Sequence, residues 1–415
     1  MEESDQATVR WDEYAARWLR ARLGYILLII YMLGLCFAIP LSVNELVKRH
    51  AEKHVVVWFV AGVFVYMTIP ITTAGVVQHL KNFSQPPQQL RLIRILMMVP
   101  VYSFFSYLGM ILHKQTIYLD AMRECYESYV IYNFMMFLVT YMYEHYNVEQ
   151  LLNYKAAQPQ LFPFQRLPPW PKGKSFVIWS KRGVFVYVVS KPITTIIMLI
   201  AELAGHSGKN EFSIGSIWMW TLIIDNIAQM WALYCLVIFY QALKHELAGI
   251  EPLPKFLCVK AVVFFSFWQG LFLDCLVFLS IIKDSKNEGG YTAEETAETV
   301  QNLLICMEMF GFSIAHHIVF SYKHYVSEIE IPPPQFLTSL SHLFDFRDVR
   351  TDIRTQLGEM AYGSGKKSRN SLGVSAQTIR NNYRSRHTER SPLLSSEHVE
   401  LNTFKNYNQD SNENI

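Results

Sequence analysis

Charge is what this chain has least of. Only 17% of its 415 residues are Asp, Glu, Lys or Arg, against roughly 25% in an average soluble domain. The 37 basic and 35 acidic residues leave a net charge of +2, so there is no basic excess of the kind that marks nucleic acid as a partner. Cysteine is also sparse. Cys36, Cys125, Cys235, Cys258, Cys275 and Cys306 include no C-x-x-C spacing, which leaves no basis for a zinc site or a disulfide framework. A phosphate loop is missing: Gly363-Ser364-Gly365-Lys366-Lys367-Ser368 lacks the first glycine at the required spacing, and no strand precedes it. No catalytic residue, metal or cofactor is expected, and the chain is read as a non-enzyme. A short signal core is missing too, because the apolar run from Leu23 extends about 20 residues, beyond the roughly 7–15 of a cleavable signal, and so reads as an anchor.

Apolar length is present in abundance. Hydrophobic residues make up 51% of the chain and aromatics 14%, with a mean hydropathy of +0.14. A helix crosses a hydrocarbon core of about 30 Å with roughly 20 apolar residues. Stretches of that kind fall at 23–43, 55–77, 93–112, 128–143, 184–203, 214–240, 256–282 and 300–320. The expected fold is an all-α polytopic membrane protein. The stretch at 128–143 is short and rich in tyrosine, and a buried or interfacial helix is the alternative there. Pro40, Pro70, Pro100 and Pro192 sit in or beside the spans, where each removes a backbone hydrogen bond and bends its helix.

Lysine and arginine collect on alternate loops. Arg10, Arg17, Arg20 and Arg22 precede the first span, and Lys155, Arg166, Lys172, Lys174, Lys181 and Arg182 crowd the long loop before the fifth. The positive-inside rule then puts both termini in the cytosol, although Lys48, Arg49 and Lys53 in the first outer loop run against it. The chain divides into a cytosolic segment 1–22, a transmembrane helical domain 23–325, an amphipathic cytosolic segment 326–361 and a tail 362–415. That tail has too few apolar residues to offset the entropy of folding and is expected to be disordered.

Polar groups inside spans face one another, a cavity or the bundle interior, because lipid solvates them poorly. The candidates for lining a solute path are Asn133, Glu202, Asp225, Asn226, Gln229, Lys260, Gln269, Asp274, Glu308 and His316. Asp225 and Gln229 share a helix face, and Lys260 and Asp274 lie about 40° from alignment. For Asp225 and Asn226 the alternative role is an interhelical hydrogen-bond lock. His316 and His317 point about 100° apart and do not suggest a common metal. The tryptophans among the spans fit interfacial belts and equally a route for a flat amphipathic solute such as a sterol.

Several strings carry a resemblance. Met98-Val99-Pro100-Val101-Tyr102-Ser103, Arg123-Glu124-Cys125-Tyr126-Glu127, Tyr129-Val130-Ile131-Tyr132-Asn133-Phe134, Lys255-Phe256-Leu257-Cys258-Val259-Lys260, Cys306-Met307-Glu308-Met309-Phe310 and Ala315-His316-His317 resemble the superfamily of the organic solute transporter alpha-subunit and transmembrane protein 184. The C branch of the latter group is the most similar. The resemblance covers roughly 23–354 and implies a seven-helix transmembrane core with an extra N-terminal transmembrane helix. It also implies facilitated diffusion of bile acids and conjugated steroids, with a single-pass accessory subunit or a homo-oligomer as partner beside the lipid bilayer. Relatives often carry a cysteine run before Pro168-Pro169-Trp170; here Phe162 and Phe164 stand in that region, as candidate non-covalent anchors in the membrane interface.

The sequence therefore leads to a transporter of an amphipathic organic solute. A receptor or trafficking scaffold, with ligand-binding outer loops and a partner-recruiting tail, is the alternative. The tail also carries Glu389-Arg390-Ser391-Pro392-Leu393-Leu394, an acidic residue four before a leucine pair, as in dileucine signals read by clathrin adaptors. An unfolded segment can extend into an adaptor groove. Residence in endosomal or lysosomal membranes is expected, with transit through the plasma membrane. Replacing Leu393 and Leu394 with alanine should move a tagged protein toward the cell surface, and unchanged surface labelling would remove the sorting signal.

Overall fold

In the computed structural model the described residues are 53–155, 157–162, 164–166, 168–205, 215–282 and 292–326, with isolated positions between 30 and 48 and residues 350, 351 and 354. Apart from those isolated positions, the first expected span at 23–43, the amphipathic segment and the tail with Glu389, Leu393 and Leu394 lie outside the described residues. The helices are α1 (Lys53–Lys81), α2 (Pro86–Leu96), α3 (Met98–Ile111), α4 (Thr116–His145), the short α5 (Val148–Tyr154), α6 (Lys174–Leu203), α7 (Ile217–Ala242), α8 (Pro252–Phe278) and α9 (Ala293–Val319). No strand occurs among the described residues. Among the described residues six rods, with α2 and α3 counted as one, are long and apolar enough to cross a membrane. The 30-residue α4 is the seventh long rod, about 45 Å at the α-helical rise. The fold is that of an all-α polytopic membrane protein.

Proline sets two local features. Pro100 has no N–H to give the carbonyl of Leu96, and its ring crowds that carbonyl. The rod accordingly breaks at Met97, which closes α2 by donating to Ile93 at 3.0 Å and opens α3 by accepting from Val101 at 3.1 Å. Pro70 stays inside α1 and frees the carbonyl of Tyr66 four residues earlier. The Tyr31 hydroxyl donates to that carbonyl at 3.4 Å, and the two rings meet with centroids 5.5 Å apart.

The fourth stretch, the least apolar by sequence, is the middle of the bundle. Every residue from 130 to 139 on α4 is buried, and α3, α2 and α6 pack along it. A helix enclosed on all sides needs apolar residues all round over its buried part, which the run from Val130 to Val139 supplies. Its first half, from Thr116 to Glu127, is polar and is read from sequence as loop, yet it is helical. The long basic loop likewise ends earlier than expected. Gly173, at φ 67, opens α6 at Lys174, because Phe176, Val177, Ser180 and Val184 already form a buried stripe. Arg182 lies over the Trp179 ring at 5.4 Å. Within that loop Phe164 turns against Trp231 and Tyr234 of α7, with centroids 6.1 and 5.3 Å away, while Phe162 stands 81% exposed.

Where α6 crosses α7, Gly183 faces Cys235, and any Cβ at 183 would meet its sulfur. The residue has to be glycine for the helices to approach this closely. At one end of the bundle, hydrogen bonds tie together loops that are far apart in sequence. His79 Nε2 bonds the Phe320 carbonyl at 2.9 Å, Ser84 donates to the Tyr325 carbonyl at 2.7 Å, and Lys155 bonds Glu246 at 2.7 Å. These are the loops assigned to the cytosolic side by their lysines and arginines. Asn82, the sequon asparagine of Asn82-Phe83-Ser84, lies at the same end and donates to the Gln78 carbonyl at 2.9 Å. Glycosidase treatment of the protein from cells should therefore leave its mobility unchanged, in wild type and in Asn82→Gln alike. A shift abolished by Asn82→Gln would reverse the orientation.

Candidate functional site

The polar half of α4 presents Asp120, Arg123, Glu124 and Glu127 at three- and four-residue spacing, hence along one side of the helix. This side faces α3, α6 and α7. Arg123 bonds Asp120 on its own helix at 2.9 Å, donates to the Ser106 hydroxyl of α3 at 2.9 Å and lies over the Tyr102 ring at 5.6 Å. Glu127, 8% exposed, accepts from the Tyr102 hydroxyl at 3.2 Å and from Gln229 Nε2 of α7 at 2.6 Å. One helical turn away, Lys191 of α6 bonds Glu124 at 2.9 Å and Asp225 of α7 at 2.8 Å. The second Asp225 oxygen accepts from the Thr194 hydroxyl at 2.6 Å.

Four carboxylates and two cations thus gather where α3, α4, α6 and α7 meet. Charges withdrawn from water need a counter-charge or hydrogen bonds: Asp120, Glu124 and Asp225 pair with Arg123 or Lys191, and Glu127 accepts hydrogen bonds from Tyr102 and Gln229. The arrangement can exchange partners: an ammonium shared by two carboxylates can release one of them to the polar group of a passing solute without being left alone.

The structure brings Asp225 and Gln229 into this network, on the shared face read from sequence. Lys260 of α8 is half-buried close enough to Glu127 for the two charges to act on each other. The other candidates lie elsewhere. Asn133 is fully buried and donates to the Tyr129 carbonyl of its own helix at 2.8 Å. Gln269 and Glu308 bond each other across α8 and α9. His316 sits against Cys258 Sγ at 3.3 Å and the Phe312 carbonyl at 2.9 Å. Glu202 is half-buried near the end of α6, and Asn226 and Asp274 are exposed. Sequence reasoning missed Lys191, the cation that holds the network together. Its signal was available, since it is a lysine beside a proline in the middle of an apolar run, but averaging over the span hides one charge.

A membrane-embedded helical bundle with a charged network at its centre is the framework of a polytopic transporter-like protein. The chain belongs to the organic solute transporter Ostalpha family, whose model matches residues 57–325. It is 32% identical over 285 residues to the transmembrane protein 184 homolog of Dictyostelium discoideum, covering 68% of this chain and 56% of that protein. It is also 32% identical over 312 residues to Protein LAZ1 of Arabidopsis thaliana, covering 71% of this chain and 63% of that protein. The aligned regions span less than two thirds of the length of either relative. No solved structure matches the chain significantly. The matched region contains all the helices of the network.

Removing the shared cation leaves two carboxylates facing each other in a poorly solvated site. Lys191→Met should lower stability in detergent by about 1–3 kcal/mol, because Asp225 loses its cation while half-exposed Glu124 is partly solvated. Adding Asp225→Asn should recover part of it, because half-exposed Glu124 is then the one carboxylate left over. An unchanged melting temperature in Lys191→Met would contradict the bridging role.

Proposed function

We propose that the protein passes an amphipathic organic solute, sterol or bile-acid-like, across a membrane by facilitated diffusion. The observation that carries this reading is the cluster of Arg123, Glu127, Lys191 and Asp225 where α3, α4, α6 and α7 meet. A structural lock needs one satisfied pair. Here a run of exchangeable partners extends from Asp120 at the start of α4 to Glu127 about 10 Å further along its axis. Membership of a solute-transporter family supports the same reading. No energy-coupling motif occurs in the sequence, so flux follows the gradient. The dileucine string Glu389, Leu393 and Leu394 supports residence in endosomal or lysosomal membranes, with a clathrin adaptor as the proposed sorting partner.

The test is uptake of labelled sterol conjugates by liposomes holding the purified full-length protein. Saturable uptake above that of protein-free liposomes is expected, reduced by about tenfold in Glu127→Gln, the size of effect expected when a hydrogen bond to a charged group is lost. Uptake equal to that of empty liposomes across a broad solute panel, with ligand binding retained, would replace the transporter by the receptor or scaffold.

A further inference from the structure

The end of the bundle opposite the basic loops closes on a tryptophan. A small core separate from the main one joins α1, α3 and α9 through Ala61, Val65, Met110 and Cys306, and Trp58 packs against it. Two histidines share that indole. His54, one turn earlier on α1, meets it with ring centroids 4.9 Å apart. His113, from the single-turn helix His113–Gln115 that joins α3 to α4, lies 6.3 Å away. Facing them are the first two turns of α9, where Glu295 and Glu298 are near enough to His113 for their charges to act on it. Glu295 already has one oxygen on the Thr292 N–H at 2.9 Å, where it closes the cap of α9.

This arrangement stands over the charged cluster. Thr116 holds the joining turn by donating to the His113 carbonyl at 2.8 Å, and Asp120 lies about one turn further along α4. The two helices that the turn joins carry Tyr102, Ser106, Asp120, Arg123 and Glu127. A displacement of the turn therefore changes access to those groups from the outer side.

Histidine is the side chain whose charge ordinarily changes between about pH 5 and 8. Two neutral imidazoles can share an indole. Once charged they repel each other, while Glu295 and Glu298 draw His113 toward α9. Burial is the largest influence on His113 and opposes its protonation; the two glutamates favour it and His54 opposes it, and the ring is held below the usual histidine range. Those three residues are the charged or titratable groups acting on it among the described residues. Neutral His113 therefore contributes stability that is complete above the ordinary histidine value and is lost as pH falls through the lower value of the folded protein.

We propose that His113 is an acid-operated latch on the outer mouth: neutral, it holds the turn between α3 and α4 against Trp58, and protonated, it leaves the indole for Glu295 and Glu298 and frees the turn. Passage then responds to the acidity of the compartment that the outer face meets. The latch rests on the transport reading for its purpose, whereas its motion can be measured without any solute.

The test is hydrogen exchange of the full-length protein in nanodiscs, corrected for the pH dependence of chemical exchange. Amides of 112–116 should exchange about fivefold faster at about pH 5 than at about pH 8, the factor expected when one moderate contact is lost. Those of 130–139 should stay protected at both values and report an intact bundle. His113→Asn, neutral throughout, should remove the dependence, and His113→Lys should give fast exchange at both values. The two neighbours should move the midpoint in opposite directions: His54→Gln upward, by removing a competing positive charge, and Glu298→Gln downward, by removing an attracting negative one. Exchange of 112–116 that ignores pH, that responds equally in His113→Asn, or whose midpoint is unmoved by both neighbours would overturn the latch. Solute uptake without an acid response of the turn removes the latch and keeps the transporter; an acid response without uptake of any solute keeps the latch and removes the transporter.

Discussion

The ammonium of Lys191 stands between carboxylates from two other helices, at 2.9 Å from Glu124 and 2.8 Å from Asp225. Much of the bundle depends on that sharing. Helix α4 brings Asp120, Glu124 and Glu127 into a region where water is scarce, and an ionised carboxylate there costs several kcal/mol unless something answers it. Arg123 answers Asp120 from the same helix, Lys191 answers Glu124 from α6 while drawing in α7 through Asp225, and Glu127 is held by hydrogen bonds from Tyr102 and Gln229. Because the compensation crosses helices, α4 can carry four charged side chains within the eight residues 120–127, just before a fully enclosed stretch. The apolar half, with every residue from 130 to 139 buried, holds the bundle by packing; the polar half holds it by electrostatics.

Apolar length was legible in the sequence, and so the long rods α1, α7, α8 and α9 and the second half of α6 lie close to where hydropathy puts them. The break at Met97 could be read from Pro100. Two features could not be read. The first half of α4 looks like loop because its charges find partners only in the folded bundle, and no pattern within residues 116–127 shows Ser106, Lys191 or Gln229 opposite. The start of α6 was read too late for the same reason: Lys174, Lys181 and Arg182 suggest a basic loop until the buried stripe of Phe176, Val177 and Ser180 is seen between them.

The candidate polar residues fared according to geometry. Asp225 and Gln229 share a face and meet the same network, as the helical period requires. Gln269, Glu308 and His316 sit at a different interface, between α8 and α9, because the face of α8 that carries Gln269 turns toward α9 and the face that carries Lys260 turns toward α7. Spacing within one helix says which residues travel together. It does not say which neighbour they meet.

The crossing of α6 and α7 has a consequence for how such sequences can diverge. Gly183 is pressed so closely on Cys235 that a single carbon added at one position forces the sulfur of the other to move. The two residues, 52 apart in the chain, therefore behave as one site under mutation. In descendants of this sequence an alanine at 183 has to be accommodated by a shift or a smaller side chain at 235, so the two positions are expected to change together.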